Sequence, residues 1–219
     1  MNAYIVYKKL DWRNMKRIIN AFSVPILEFQ LQHDADRTTS WVRDITSLFA
    51  KMDDKRLLSH EWNNNIVTDN HSKIGYSSFN HSNLANDSKF QSFFETITPL
   101  ITEFLKQLEY NGDWKFENAW ANVYPVGAYV PLHNHGTMHW SGVYYITATD
   151  GCGDLKLIDP KEYSLNNEPV ETMWRGNHNM RIEATTDKLI MFPGYLKHET
   201  DPNYSVGDRI VISFNITCM

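Results

Sequence analysis

The sequence predicts an α+β chain that is mainly β, a jelly roll with helices packed against its outside, and three observations carry that expectation. From Trp114 onward, short apolar runs alternate with Gly, Pro, Asn and Asp turn formers, the pattern of a sandwich or barrel. Before that point the apolar periodicity is helical. Between the strand-like runs lies PLHNHGTMHWSGVYY, Pro131 to Tyr145, which sets His133 and His135 one residue apart among aromatic residues.

Length and composition bound the answer. At 219 residues the chain is long enough for one good core. We expect one domain spanning 1–219, with an N-terminal extension over 1–21, helical support and a candidate lid over 22–112, and a jelly-roll core over 113–219. A formal net charge of −5 and a pI near 6.0 argue against broad attraction to nucleic acid. Two cysteines, Cys152 and Cys218, suit a reduced intracellular protein better than a disulfide scaffold. No apolar run approaches the length of a membrane span, and the first 21 residues lack the apolar centre of a secretion signal. A cytoplasmic location is the expectation.

Taken in order, Trp12 to Phe22 fits one helical face after Asp11. Phe22 to Leu31 combines alternating apolar residues with Pro25, which suits an edge strand. Trp41, Val42, Ile45, Leu48, Phe49 and Met52 recur at helical spacing after the candidate caps Thr38, Thr39 and Ser40. Asp53 to Asp87 is polar and rich in turn formers, a candidate lid. Phe90 to Leu108 carries the clearest amphipathic stripe, opened by Asn86, Asp87 or Ser88, with Pro99 inside it predicting a bend near Glu95 or Thr96. Strands are expected at Trp114 to Tyr124, Ala128 to His135, Ser141 to Thr147, Leu155 to Ile158, Met180 to Glu183, Leu189 to Phe192 and Arg209 to Thr217.

On an extended strand, side chains at i and i+2 share a face, so His133 and His135 can offer two imidazoles to one metal ion. A lone HxH is a weak signal, and a third ligand is wanted. His198 follows a Pro-Gly turn that can return the chain to a barrel mouth. Arg209 opens a strand whose alternation puts Ile210, Ile212, Phe214 and Ile216 on one side and Arg209, Val211, Ser213 and Asn215 on the other. A buried Arg needs an anion, either a carboxylate ligand or an internal Asp or Glu. Trp120, Trp140 and Tyr145 can wall the pocket or simply pack, and His139 in the turn can reach its mouth or lie exposed.

Order and spacing of these residues resemble the Fe(II)- and 2-oxoglutarate-dependent oxygenases, over roughly Trp120 to Asn215. The matching elements are Asn122-Val123-Tyr124, the His133/His135 pair nine residues beyond that Tyr, SGVYY, His198 in FPGYLKH, and Arg209 heading the last strand. The closer likeness is to a branch of bacterial and phage oxygenases with an HxH...H motif. The resemblance implies a double-stranded β-helix of cupin-like jelly-roll type. It implies Fe(II) on His133, His135 and His198, and 2-oxoglutarate as cosubstrate on Arg209, Tyr124 and Asn122. It implies consumption of O2, release of succinate and carbon dioxide, and hydroxylation of a small-molecule or peptide substrate. A homodimer is compatible with the sequence.

Two departures from the common pattern bear on the chemistry. His135 stands where most relatives place Asp or Glu, which leaves the metal centre near +2 and can favour zinc over iron. Asp150, Asp154 or Asp159 is the alternative source of a carboxylate, with His135 then supporting from behind. Val211 stands where many relatives carry a hydroxyl two residues after the Arg. Two other functions stay open at this stage: a non-catalytic jelly-roll module that binds a metal or small acid, and a three-His dioxygenase that does not use 2-oxoglutarate.

Overall fold

A computed structural model describes residues 23–52, 75–160 and 179–219. The helix expected over Trp12 to Phe22 and most of the candidate lid, 53–74, lie outside the described residues. The described elements run β1 (Leu27–Gln30), α1 (Ala35–Ala50), β2 (Tyr76–Ser77), two 3-10 turns (Leu84–Asn86 and Ser88–Phe90), α2 (Gln91–Gln107), β3 (Trp114–Tyr124), β4 (Trp140–Thr147), β5 (Leu155–Ile158), β6 (Asn179–Ile182), β7 (Lys188–Pro193), β8 (His198–Thr200) and β9 (Arg209–Cys218). They form a six-stranded sheet in the order β1-β7-β4-β9-β3-β2 and a three-stranded sheet in the order β6-β5-β8, with antiparallel pairing throughout. The described chain is therefore mainly β.

The large sheet separates two apolar clusters, and strand alternation decides which residue joins which. On one face Ala119, Ala121, Tyr144, Leu189, Met191, Ile212, Phe214 and Ile216 pack with Trp41, Ile45 and Phe49 of α1 and with Phe93, Ile97, Ile101 and Leu105 of α2. Trp41 is the hinge of that contact, meeting Phe93 and Tyr144 edge-on at 5.3 and 5.6 Å. Fully burying side chains of this size contributes about 1.5–3 kcal/mol each. On the other face Tyr124, Tyr145, Ile190, Phe192 and Val211 pack against Leu155, Leu157 and Ile182 of the small sheet. Gly142 is needed where the strands crowd, since a Cβ there would sit 2.3 Å from the Phe214 ring.

Three expectations need correction. The cap of α1 is Asp34, whose side chain accepts from Arg37 N at 3.0 Å, not Thr38, Thr39 or Ser40; a carboxylate at a helix N-terminus gains from the exposed N–H groups as those helical Thr and Ser residues cannot. Residues 75–87 are not a free loop. Ser78 Oγ accepts from Ala121 N at 3.0 Å, Asn83 Oδ1 accepts from Ala119 N at 3.0 Å, and Leu84 is wholly buried. The stretch Ala128 to His135 is not a strand: apart from one bridge between His133 and His198 it is irregular, because Pro131 lacks an N–H and Asn134 turns the chain by accepting from Gly136 N at 3.0 Å. Of the two roles open to Trp140, packing is the one observed: it meets Phe104 of α2 at 5.1 Å.

Asp187 ties this architecture together. Its carboxylate is fully buried, accepts from Tyr144 Oη at 2.8 Å and Arg37 Nη2 at 3.2 Å, and lies 2.6 Å from His33 Nδ1. One side chain thus joins β4, α1 and the segment between β1 and α1. Replacing it with Ala strands a buried hydroxyl and a guanidinium, so Asp187→Ala should lower unfolding free energy in urea by about 2–4 kcal/mol.

Candidate metal and cosubstrate site

Two chain segments bring the three imidazoles together. His133 is fixed by the bridge to β8, with His133 N donating to His198 O at 3.0 Å and His198 N donating back to His133 O at 2.8 Å. His135 N donates to Gly194 O at 2.8 Å, which brings the HxH turn onto the turn after β7. Gly194 permits that approach, since a Cβ would lie 2.2 Å from Met138 O. The ligand atoms of His133, His135 and His198 all lie within 4.8 Å of one another.

The donor chemistry fits a metal ion. His133 Nδ1 is 2.8 Å from Pro131 O, and His198 Nδ1 is 2.9 Å from Leu196 O; a carbonyl only accepts, so the ring proton sits on Nδ1 and the lone pair on Nε2. His135 Nε2 and His198 Nε2 are 3.3 Å apart, close to the roughly 3 Å expected of two nitrogens each about 2.0–2.1 Å from one ion. Burial disfavours the charged form of each ring. It lowers the His133 pKa, lowers that of His135 to about 3, and holds that of His198 well below 6.5, with the neighbouring imidazoles adding to the effect for His135 and His198. Neutral imidazoles are what a divalent cation requires.

No carboxylate joins the cluster among the described residues. Asp154, one of the alternatives, lies 3.9 Å from the guanidinium of Arg181 instead. Trp120 stacks on His135 at 5.9 Å and Phe192 lies 4.6 Å from His198, so apolar rings hold two of the three imidazoles. His139 is exposed, and its Nδ1 accepts from Cys218 N at 2.9 Å, which gives it a structural task.

A second group lies further along the inner face of the large sheet. Arg209 is 1 % exposed and pairs across strands with Tyr124, as Val211 does with Asn122. Its guanidinium lies 4.7 Å from the Tyr124 ring. Nη1 donates to Cys152 O and Gly153 O at 2.7 and 2.9 Å, and Nη2 to Thr200 Oγ1 at 2.9 Å. Neither internal Asp nor internal Glu pairs with it among the described residues; carbonyls and one hydroxyl orient the cation without neutralising it. Gly153, at φ +96°, makes room, since a Cβ would lie 2.8 Å from Nη1. Burial raises the Tyr124 pKa to about 12, so its hydroxyl stays a donor. Asn122 is 2 % exposed, donates from Nδ2 to Ser213 Oγ at 3.2 Å, and leaves Oδ1 buried without a partner.

Residues 118–215 match the family described as "Putative 2OG-Fe(II) oxygenase". In fold the chain is similar to a prolyl-4-hydroxylase from Pseudomonas putida, with a TM-score of 0.59 and 12 % identity over 88 % of this chain and 92 % of that one. It is similar to a Trichoplax adhaerens prolyl hydroxylase crystallised with a hypoxia-inducible-factor peptide fragment, at 0.58 and 13 % over 88 % and 83 %. It is also similar to HygX from Streptomyces hygroscopicus with nickel and 2-oxoglutarate bound, at 0.60 and 9 % over 90 % and 83 %. Comparison with curated protein sequences yields no match. No helix among the described residues is long and apolar enough to cross a membrane.

The neutral triad makes the fold sensitive to acid. Each folded imidazole has a pKa below the 6.5 of an ordinary histidine, so below that pH the unfolded chain takes up protons that the folded one refuses. The associated stability is fully present above pH 6.5 and is lost as pH falls toward 3. In metal-free protein the melting temperature should drop through this window, and His135→Gln should flatten part of the drop; an identical slope in the variant would show that His135 is not held neutral.

Proposed function

We propose that the protein is an Fe(II)- and 2-oxoglutarate-dependent dioxygenase that hydroxylates its substrate with release of succinate and carbon dioxide. His133, His135 and His198 hold the metal through Nε2, and Arg209, Tyr124 and Asn122 hold the cosubstrate. The iron, when bound, supplies oxygen activation coupled to decarboxylation. The chain's own residues supply position and charge. The carrying observation is Arg209, a buried guanidinium that donates to Thr200, two residues along β8 from His198, and has dipoles for partners and no counter-ion among the described residues. A divalent ion on three neutral imidazoles adds a second positive centre, and a dianionic acid spanning the two matches both charges. Tyr124 adds a protonated hydroxyl, and Asn122 an amide whose oxygen is unpaired. Val211 provides no hydroxyl, so the guanidinium carries the distal carboxylate with the groups around it.

Calorimetric titration of 2-oxoglutarate into metal-loaded Arg209→Ala tests this reading. Removing one partner of a buried, hydrogen-bonded charge pair costs about 2–5 kcal/mol, which is roughly 30-fold to several thousand-fold in affinity. Arg209→Lys keeps the charge but not the planar fork and should fall between wild type and Ala. Metal affinity should be unchanged in both and lost in His133→Ala and His198→Ala, while His135→Asp retains it. Unchanged 2-oxoglutarate affinity in Arg209→Ala would favour a metal-binding jelly roll, or a three-His dioxygenase, over the oxygenase proposed.

A further inference from the structure

Strand pairing arranges the inner face of the large sheet in rows. Asn118, Asn215, Ser141 and Phe192 fall in one row, and Trp120, Ser213, Val143 and Ile190 in the next, followed by Asn122 with Val211 and then Tyr124 with Arg209. The first row is polar across three strands, where two packed sheets call for apolar side chains. Ser141, 1 % exposed, donates from Oγ to Asn215 Oδ1 at 2.7 Å. Asn215, 3 % exposed, donates from Nδ2 to Asn118 Oδ1 at 2.8 Å. This chain of hydrogen bonds ends at Asn118, which is only half-buried and whose Nδ2 has no partner among the described residues.

The row stands at the metal end of the site. Phe192, its fourth member, contacts His198, and Trp120 in the neighbouring row stacks on His135. Arg209 lies six residues along β9 from Asn215, about 20 Å at the usual rise. The cosubstrate groups therefore occupy one side of the triad and the polar row the other.

The geometry points to Asn118, oriented by Asn215 and Ser141, as the docking group for the prime substrate, and to a neutral amide of the peptide class as that substrate. This rests on the oxygenase reading above. A carboxamide with two open N–H donors is matched by a carbonyl. None of the eight side chains in the two rows is charged, so an anionic substrate would meet no counter-charge there. With a formal net charge of −5, the protein likewise offers little to a nucleic-acid backbone. Phe79, 40 % exposed and edge-on to Trp120 at 4.9 Å, supplies an apolar wall for a neighbouring side chain.

Nuclear magnetic resonance of the 15N-labelled full chain tests this directly. Titration with N-acetylglycylglycinamide, a neutral blocked dipeptide, should shift the side-chain NH2 signals of Asn118 and, through the relay, Asn215. The anion N-acetylglycine and the nucleoside thymidine should shift them less at equal concentration. Loss of one neutral hydrogen bond should make the blocked dipeptide bind about 2- to 12-fold more weakly to Asn118→Leu, with Fe(II) and 2-oxoglutarate affinities as in wild type. Absence of a shift at Asn118, a larger shift with thymidine or the anion, or unchanged dipeptide affinity in Asn118→Leu would each overturn the proposal. If Asn118→Leu does not fold, the wild-type spectra still decide. Fe(II) and 2-oxoglutarate titrations of the same sample test the oxygenase reading separately, so failure of one is not mistaken for failure of the other.

Discussion

The antiparallel ladder between β3 and β9 is the constraint on which the rest of the molecule depends. Its register sets Tyr124 opposite Arg209, Asn122 opposite Val211, Trp120 opposite Ser213 and Asn118 opposite Asn215. Because side chains alternate, the same register sends Ala119, Ala121, Ile212 and Phe214 to the helices on the other face. A slip of one residue would exchange the two sets, burying polar groups against α1 and α2 and moving Arg209 out of the pocket. Apolar packing on the outer face thus enforces polar order on the inner one.

Electrostatics and packing cooperate along that inner face. Imidazoles kept neutral by burial suit a cation, while a guanidinium kept un-neutralised by carbonyl partners suits an anion. The two environments face each other across the fold: Arg209 stands on β9 of the large sheet, and the imidazoles sit on β8 of the small sheet and the loop bridged to it through His133. Backbone hydrogen bonds, rather than further charged side chains, set the orientation of both. Such supports lose little freedom on folding beyond what the sheet already requires.

Alternation was the legible part of the sequence. The apolar set of β9, the span Trp114 to Tyr124 and the span Leu155 to Ile158 could be read from period and punctuation, and the structure shows the same spans. The set His133, His135 and His198 was implied by the family resemblance, with a nearby Asp open as an alternative, and the three do cluster, though the HxH segment is a turn pinned at its ends rather than a strand. Period alone could not show that. Nor could it show the fate of Trp140, since its direction depends on which face of β4 meets α2. Asn118 escaped notice for a related reason: the register shift between Phe116 and Asn118 resets the alternation, and an irregularity of this kind leaves no mark in residue type. The partners of Arg209, two backbone carbonyls and a threonine hydroxyl, come from 9 to 57 residues away, which no local pattern encodes.

At the centre of this account stands one claim, that the imidazole cluster and Arg209 act on a single chelate rather than as two independent sites. Anaerobic titration of the full chain with Fe(II) and then 2-oxoglutarate, followed by visible absorption, measures it most directly. A weak charge-transfer band that needs both the metal and the acid, and saturates at one of each per chain, is the predicted result. Bound Fe(II) with no band at saturating 2-oxoglutarate would contradict it.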